Sequence, residues 1–192
     1  MEEKSTNHTS KKSQKRKSNS KGRSSILLFI VGFIVIMAIF YAFFNTDFFR
    51  ENILAHVANV NASISSWILN LFGQGTTASG SSVSSSIFSI KVETGCDGIE
   101  PIALFATAVL VFPVAFNYKW PGVLVGSAFL AIMNLLRVIS LFLVGVYIPS
   151  FFDFMHVEVW QVIFIILAIV TWLVWVQWVM RKQAALRTVK AK

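Results

Sequence analysis

Charge and cysteine are both scarce in this chain. Only 14% of its 192 residues are charged and 55% are hydrophobic, whereas water-soluble domains carry about 25% and about 45–50%. That imbalance excludes an ordinary soluble globular domain and points to lipid as the surrounding medium. Cys96 is the single cysteine, which excludes an intramolecular disulfide, a CxxC redox pair and a cysteine metal cluster. Any thiol chemistry therefore belongs to one sulfur. His8, His56 and His156 are scattered, and no phosphate-cradling glycine loop occurs, so neither a metal nor another cofactor is expected.

What is abundant is basic charge and long apolar runs. Lysine and arginine number 17 against nine aspartates and glutamates, a net charge of +8. Eight of the basic residues precede Ser24, and with Glu2 and Glu3 the N-terminal tail carries +6. Residues 1–25 are polar, low in complexity and free of large apolar side chains after Met1, so a disordered basic tail is expected. That tail has no aromatic residue for base stacking, and no nucleic-acid partner is expected.

Ile26–Phe44 is uncharged and long enough to cross a hydrocarbon core of about 30 Å. No small-x-small cleavage site follows it, so it reads as a retained anchor. Further apolar runs over about 99–116, 123–146 and 157–180 bring the expected number of transmembrane helices to four. Trp160 and Trp178 bracket the last run at the spacing of two interfacial tryptophans, about 27 Å. Trp172, Trp175 and Trp178 form a helical stripe that reads as packing or belt residues.

Between the first two runs, Ile53, Leu54, Val57, Val60, Ile64, Trp67, Ile68 and Leu71 recur at helical spacing and predict an amphipathic helix. Residues 73–86 read as a flexible Gly/Ser/Thr stretch, followed by a short alternating strand through Phe88, Ile90 and Val92. The expectation is thus an all-α membrane protein with one membrane domain over 26–180 and a basic tail over 181–192. With a cytosolic N-terminus, fourteen basic residues fall inside and only Arg50 and Lys91 outside. The positive-inside rule then puts both termini in the cytosol and the amphipathic helix and strand on the outer side.

Arg137 sits inside the third run, where a charge costs at least about 2.5–3.5 kcal/mol and calls for a function or a buried partner. Sixteen residues of helix above Pro121, it stands about 24 Å up, in the outer part of the core. Cys96 precedes the second run and His156 the fourth, both at the outer face. The up-down threading therefore gathers Cys96, Arg137 and His156 at one depth, although about 40 and 19 residues separate them in sequence.

Cys96 abuts a helix N-terminus, which favours a thiolate. Asp97 and Glu100 resemble a capping pair opening that helix, but their negative charge opposes thiolate formation unless Arg137 or His156 is close. Several other readings are open on the residues alone. Cys96 is also suited to be a small packing residue and His156 a boundary residue, and Arg137 to pair with Glu100 in a non-enzymatic membrane subunit. A cysteine-dependent acyltransferase using lipid donors is a further possibility.

The strings ETGCDGIEP, NLLRVISLF and FMHVEVWQ resemble the signature blocks of the exosortase/archaeosortase family, over roughly 92–178. The order of cysteine, arginine within an Asn-Leu-Leu-Arg block and histidine at the start of the last span is specific in combination. Length and the run from Ile139 to Trp175 look most like the compact subtype called exosortase H. The resemblance implies a bacterial inner-membrane protease or transpeptidase with its site on the periplasmic side. Its substrates would be exported proteins with a C-terminal sorting signal made of a short motif, a transmembrane helix and a basic cluster. Membrane lipids would be its other contacts. Carried over residue by residue, the family's nucleophile falls on Cys96, its arginine on Arg137 and its histidine on His156. Asp97, Glu100 and Asn134 are supporting candidates, and Asp97 departs from the serine or asparagine more usual after the cysteine.

Overall fold

The computed structural model describes residues 26–92 and 95–190. The basic tail expected over 1–25 lies outside the described residues, as do positions 191–192 at the end of the tail expected over 181–192. The first apolar run forms helix α1, Ile26–Phe44. Its end is closed by Asn45 and Thr46, whose side chains donate to the carbonyls of Tyr41 and Phe43. Thr46 also accepts the Phe49 N–H and so opens the next helical turn, Asp47–Phe49. That turn runs through a π turn, Arg50–Leu54, into α2, Ala55–Leu71.

The amphipathic helix is present, but its orientation is the reverse of what its pattern suggests. Its buried residues are Ala58, Ala62, Ser65, Ser66 and Leu69. The large side chains Val60, Ile64, Trp67 and Leu71 point outward, with Trp67 64% exposed and Leu71 67%. A face of alanines and serines lets the backbone of α2 approach its neighbours closely, while the bulkier stripe on the opposite side meets no partner among the described residues.

The stretch expected to be a flexible linker carries two strands. β1 (Thr77–Ser79) and β2 (Ser82–Ser84) pair antiparallel, and β2 pairs with β3 (Ser89–Lys91), the strand the alternation predicted. Two side-chain devices hold this serine-rich segment in place. Asn70 and Thr76 bond reciprocally, Asn70 Nδ2 donating to Thr76 O at 2.8 Å and Thr76 N–H to Asn70 Oδ1 at 2.6 Å. Val83 is fully buried in a cluster with Ala62, Leu69, Val138 and Phe142. The two-residue turn between β1 and β2 has Gly80 in its first position with φ 57°, as a type II′ hairpin requires.

Helix α3, Ile99–Val111, is shorter than the expected run of 99–116. Pro113 disfavours helical geometry at the residue before it, and Phe112 is extended with φ −60° and ψ 134°. Lys119 Nζ donates to the Leu110 carbonyl left open by this early stop. Helix α4, Phe116–Tyr147, begins before the expected 123 and runs through Pro121. A 3-10 turn (Pro149–Phe151) and a π turn (Phe154–Val159) lead into α5, Trp160–Lys190, which continues through most of the tail expected beyond 180.

Among the described residues, three segments are long and apolar enough to cross a membrane: Ile26–Phe44, Phe116–Tyr147 and Phe154–Leu186. The fourth expected crossing is represented by the 13 residues of α3, which rise about 20 Å, short of a core of about 30 Å. Helices α3, α4 and α5 pack on one another around Phe105, Val109, Leu130, Trp175 and Val179. Gly122 and Gly126 of α4 admit the rings of Trp175 and Phe105, in the space a side chain would otherwise fill. A second core, at the other end of α4, joins it to α2 and the sheet.

Candidate active site

The segment entering α3 is a tight turn built on two glycines. Gly95 and Gly98 flank Cys96 and Asp97, with φ of 90° and 81°. Gly98 is the N-cap of α3, and a Cβ there would stand 2.8 Å from the Asn134 side chain. Backbone conformation and crowding both demand glycine at this position. A glycine has no side chain to cap with, and Asp97 Oδ1 accepts the Ile99 N–H instead, at 2.8 Å. Asn61 of α2 donates to the Asp97 carbonyl at 3.2 Å, tying the turn to the neighbouring helix. The expected capping pair is half realised: Asp97 caps, while Glu100 meets the Tyr41 hydroxyl.

The sulfur produced by this turn meets groups from two other elements. His156, in the π turn before α5, brings Nε2 to 2.7 Å from Cys96 Sγ, and its ring tilts against Phe152 with centroids 5.6 Å apart. Arg137 of α4, only 8% exposed, donates from Nη1 to Gly95 O at 3.1 Å and from Nη2 to Cys96 Sγ at 3.4 Å. Its guanidinium carbon lies 5.6 Å from the Phe164 ring centre, a cation–π contact. The planar fork thus holds a backbone carbonyl and the Cys96 sulfur at once. The Arg137–Glu100 pair considered from sequence gives way to this arrangement, since the guanidinium bonds Gly95 and Cys96.

Electrostatics favour a usable thiol. A guanidinium on the sulfur stabilises its thiolate, and an imidazole within hydrogen-bond reach can take the proton. Asp97, the next residue in the chain, opposes this with its carboxylate. It is 4% exposed, and burial raises its carboxyl above the usual carboxylate range, against the opposing pull of the Ile99 and Gly95 N–H groups and of Arg137.

Asn134 lies one turn before Arg137 and is 1% exposed. It packs under Gly98, and neither of its amide atoms finds a partner among the described residues. Leaving such a group unsatisfied costs about 1–3 kcal/mol.

The structure therefore brings Cys96, Arg137 and His156 together, with Asp97 and Asn134 underneath and Glu100 to one side. It also adds residues that sequence reasoning did not single out. Gly95 supplies the carbonyl that anchors Arg137, Gly98 the cap, Asn61 the tie to α2, and Phe152 and Phe164 the aromatic walls. The two glycines were legible as a turn signal in Gly-Cys-Asp-Gly; the aromatics carried no signal of their own among 18 phenylalanines.

The sequence profile of transmembrane exosortases (EpsH) matches residues 22–173. The chain belongs to the transmembrane exosortase family. Cys96, Arg137 and His156 all fall inside the matched region, which begins before α1 and ends within α5. With its long apolar helices, this exosortase is a multi-pass membrane protein. Searches of curated proteins and of solved structures found no match.

Proposed function

We propose that this exosortase is a membrane-embedded cysteine peptidase or transpeptidase that cleaves C-terminal sorting signals of exported proteins. The observation that carries this reading is the contact of one sulfur with both a base and a cation: Cys96 Sγ lies 2.7 Å from His156 Nε2 and 3.4 Å from Arg137 Nη2. In this reading the chain crosses four times, with α3 as the short crossing, so that both termini are cytosolic and the Cys96 turn faces the periplasm of the bacterial inner membrane. Charge supports that topology, because fourteen of the basic residues then lie inside and Arg50 and Lys91 outside.

In the reaction, His156 takes the thiol proton and Cys96 Sγ attacks the peptide carbonyl, forming a tetrahedral adduct. Arg137 orients the thiolate and stabilises negative charge as it moves to the carbonyl oxygen. Collapse breaks the C–N bond, His156 returns the proton to the leaving amine, and a thioester remains on Cys96. Water then releases a carboxylate, or an acceptor amine forms a new amide, with the thiolate as leaving group in either case. The substrate's own apolar helix supplies the binding energy that holds the motif at this depth.

The test is co-expression with an exported, epitope-tagged reporter ending in a short motif, an apolar helix and a basic cluster. Wild type is expected to shorten the reporter, and Cys96→Ala to leave it intact at equal enzyme level. Shortening that needs this protein but survives Cys96→Ala rules out the thiol mechanism.

A further inference from the structure

Two clefts open on the Cys96 site. One, of about 660 Å³, is walled by apolar side chains from α1, α3 and α5, among them Phe29, Phe33, Leu104 and Ile165, and ends on Gly95 and Arg137. The other, of about 310 Å³, has five consecutive residues, 88–92, along one wall and ends on Cys96, Arg137 and His156. Arg137 lines both, so one side chain borders the two clefts.

The wall formed by 88–92 is an edge strand. The sheet order is β1-β2-β3, and no further strand follows β3 among the described residues. Val92 N–H donates to Ser81 O, and Ser85 N–H to Phe88 O. With the register Val83↔Ile90, the alternation of antiparallel pairs commits the backbone groups of 88, 90 and 92 to β2. Ser89 and Lys91 direct theirs to the opposite edge. Ser89 is exposed, and its hydroxyl pairs across the strand with Ser84 at 2.7 Å. Its backbone N–H and C=O meet no partner strand among the described residues, and such an edge is a template for another chain.

We propose that β3 receives the substrate main chain as an added strand, which carries the scissile carbonyl to Cys96. The occupant is the extended segment of an exported protein just ahead of its C-terminal membrane helix, with that helix in the apolar cleft. This rests on the peptidase reading above. An extended peptide paired with a sheet edge draws its affinity from main-chain hydrogen bonds. The pairing fixes where the chain lies relative to the sulfur without requiring one particular side chain.

The direction follows from the packing. β3 descends along α4 from Phe88, which meets Phe142 edge to face and lies against Gly145, to Val92 in the cluster of Val138. A substrate passing from the exported domain into its membrane helix descends the same way. The added strand is therefore parallel to β3.

Two measurements test this. In membranes carrying the Cys96→Ala, Ser89→Cys double variant, single cysteines are walked along the extended segment of the reporter and oxidised. Disulfide-linked adducts are expected at alternate positions, the period of a strand. A period of three to four, equal adducts everywhere, or none overturns the proposal. In the otherwise wild-type enzyme, Ser89→Pro removes one edge N–H and leaves the bonds to β2 intact. Ala78→Pro does the same at the far edge, on β1. Conversion is expected to fall about tenfold or more with Ser89→Pro and to stay within about twofold with Ala78→Pro. Equal effects from the two overturn the proposal. Iodoacetamide labelling of Cys96 reports whether the Ser89→Pro site is still assembled; if it is not, the cross-linking pattern decides. Reporter shortening unaffected by Cys96→Ala defeats the peptidase reading separately, and the cross-links still report docking.

Discussion

The two ends of α4 are built on opposite rules. Near its start, Gly122 and Gly126 are pressed by Trp175 and Phe105, and the contacts are almost wholly apolar. Near the other end, Asn134 and Arg137 are buried, and Asn134 Nδ2 and Oδ1 and Arg137 Nε all lack partners among the described residues. A chain free to optimise stability alone would fill both ends in the first way, because an apolar contact costs nothing to bury and an unpaired amide does. Strain of this kind is kept where chemistry requires it. One helix thus serves as an apolar packing spine over one part of its length and carries the buried polar side chains of the candidate site over another.

If that division is right, substitutions at the two ends separate activity from stability. Cys96→Ala is expected to reduce reporter conversion by at least about 10³-fold, the loss typical of a removed nucleophile, with an unchanged unfolding midpoint in detergent. Arg137→Lys keeps the charge but not the fork. A lysine cannot hold Gly95 O and Cys96 Sγ together, and conversion should drop about 100-fold, read at matched protein level. Gly126→Leu acts at the packing end: displacing the Phe105 ring should cost about 1–3 kcal/mol or more, seen as a lowered unfolding midpoint. The remaining folded enzyme should still be alkylated at Cys96 at the wild-type rate. Activity lost without stability at Gly126 would break the comparison.

The smallest effect concerns Asp97. Burial raises its carboxyl above the usual value of 3.8, so the folded protein binds that proton more tightly than the unfolded chain. Its contribution to stability is then greatest below the unfolded value and declines as pH rises through the window above it. Asp97→Asn keeps an acceptor for the Ile99 N–H and removes this slope. As pH rises above the unfolded value, the variant should gain on wild type in detergent melts, and its Cys96 should alkylate faster.

Patterns that depend on local chemistry were legible in the sequence: the apolar runs of α1, α4 and α5, the helical period of α2 and the alternation in β3; the approach of Cys96, Arg137 and His156 was legible too, from the order in which the apolar runs thread. What escaped was set by contacts distant in the chain. The period of α2 gives its stripes but not which stripe faces the protein, and here the small residues do. β1 and β2 are serine-rich and read as linker, because the bonds that order them come from Asn70 and Ser66 on α2. The end of α3 was within reach, since Pro113 marks it. The orphaned amide of Asn134 was not, because its environment is made by Gly98, on another element.

The distance along the chain between the reacting partners has a consequence for biogenesis. Cys96 and His156 are 60 residues apart, and synthesis runs toward the histidine. A nascent chain threaded into the membrane through α3 already carries its thiol, but no base. Arg137 arrives with α4 and anchors to the Gly95 carbonyl. The histidine arrives last, fixed only when α5 docks beside α3 and α4. On the peptidase reading proposed above, the thiol stays unarmed until insertion is complete, and a chain stalled with its last helix outside the membrane would leave passing exported proteins uncut.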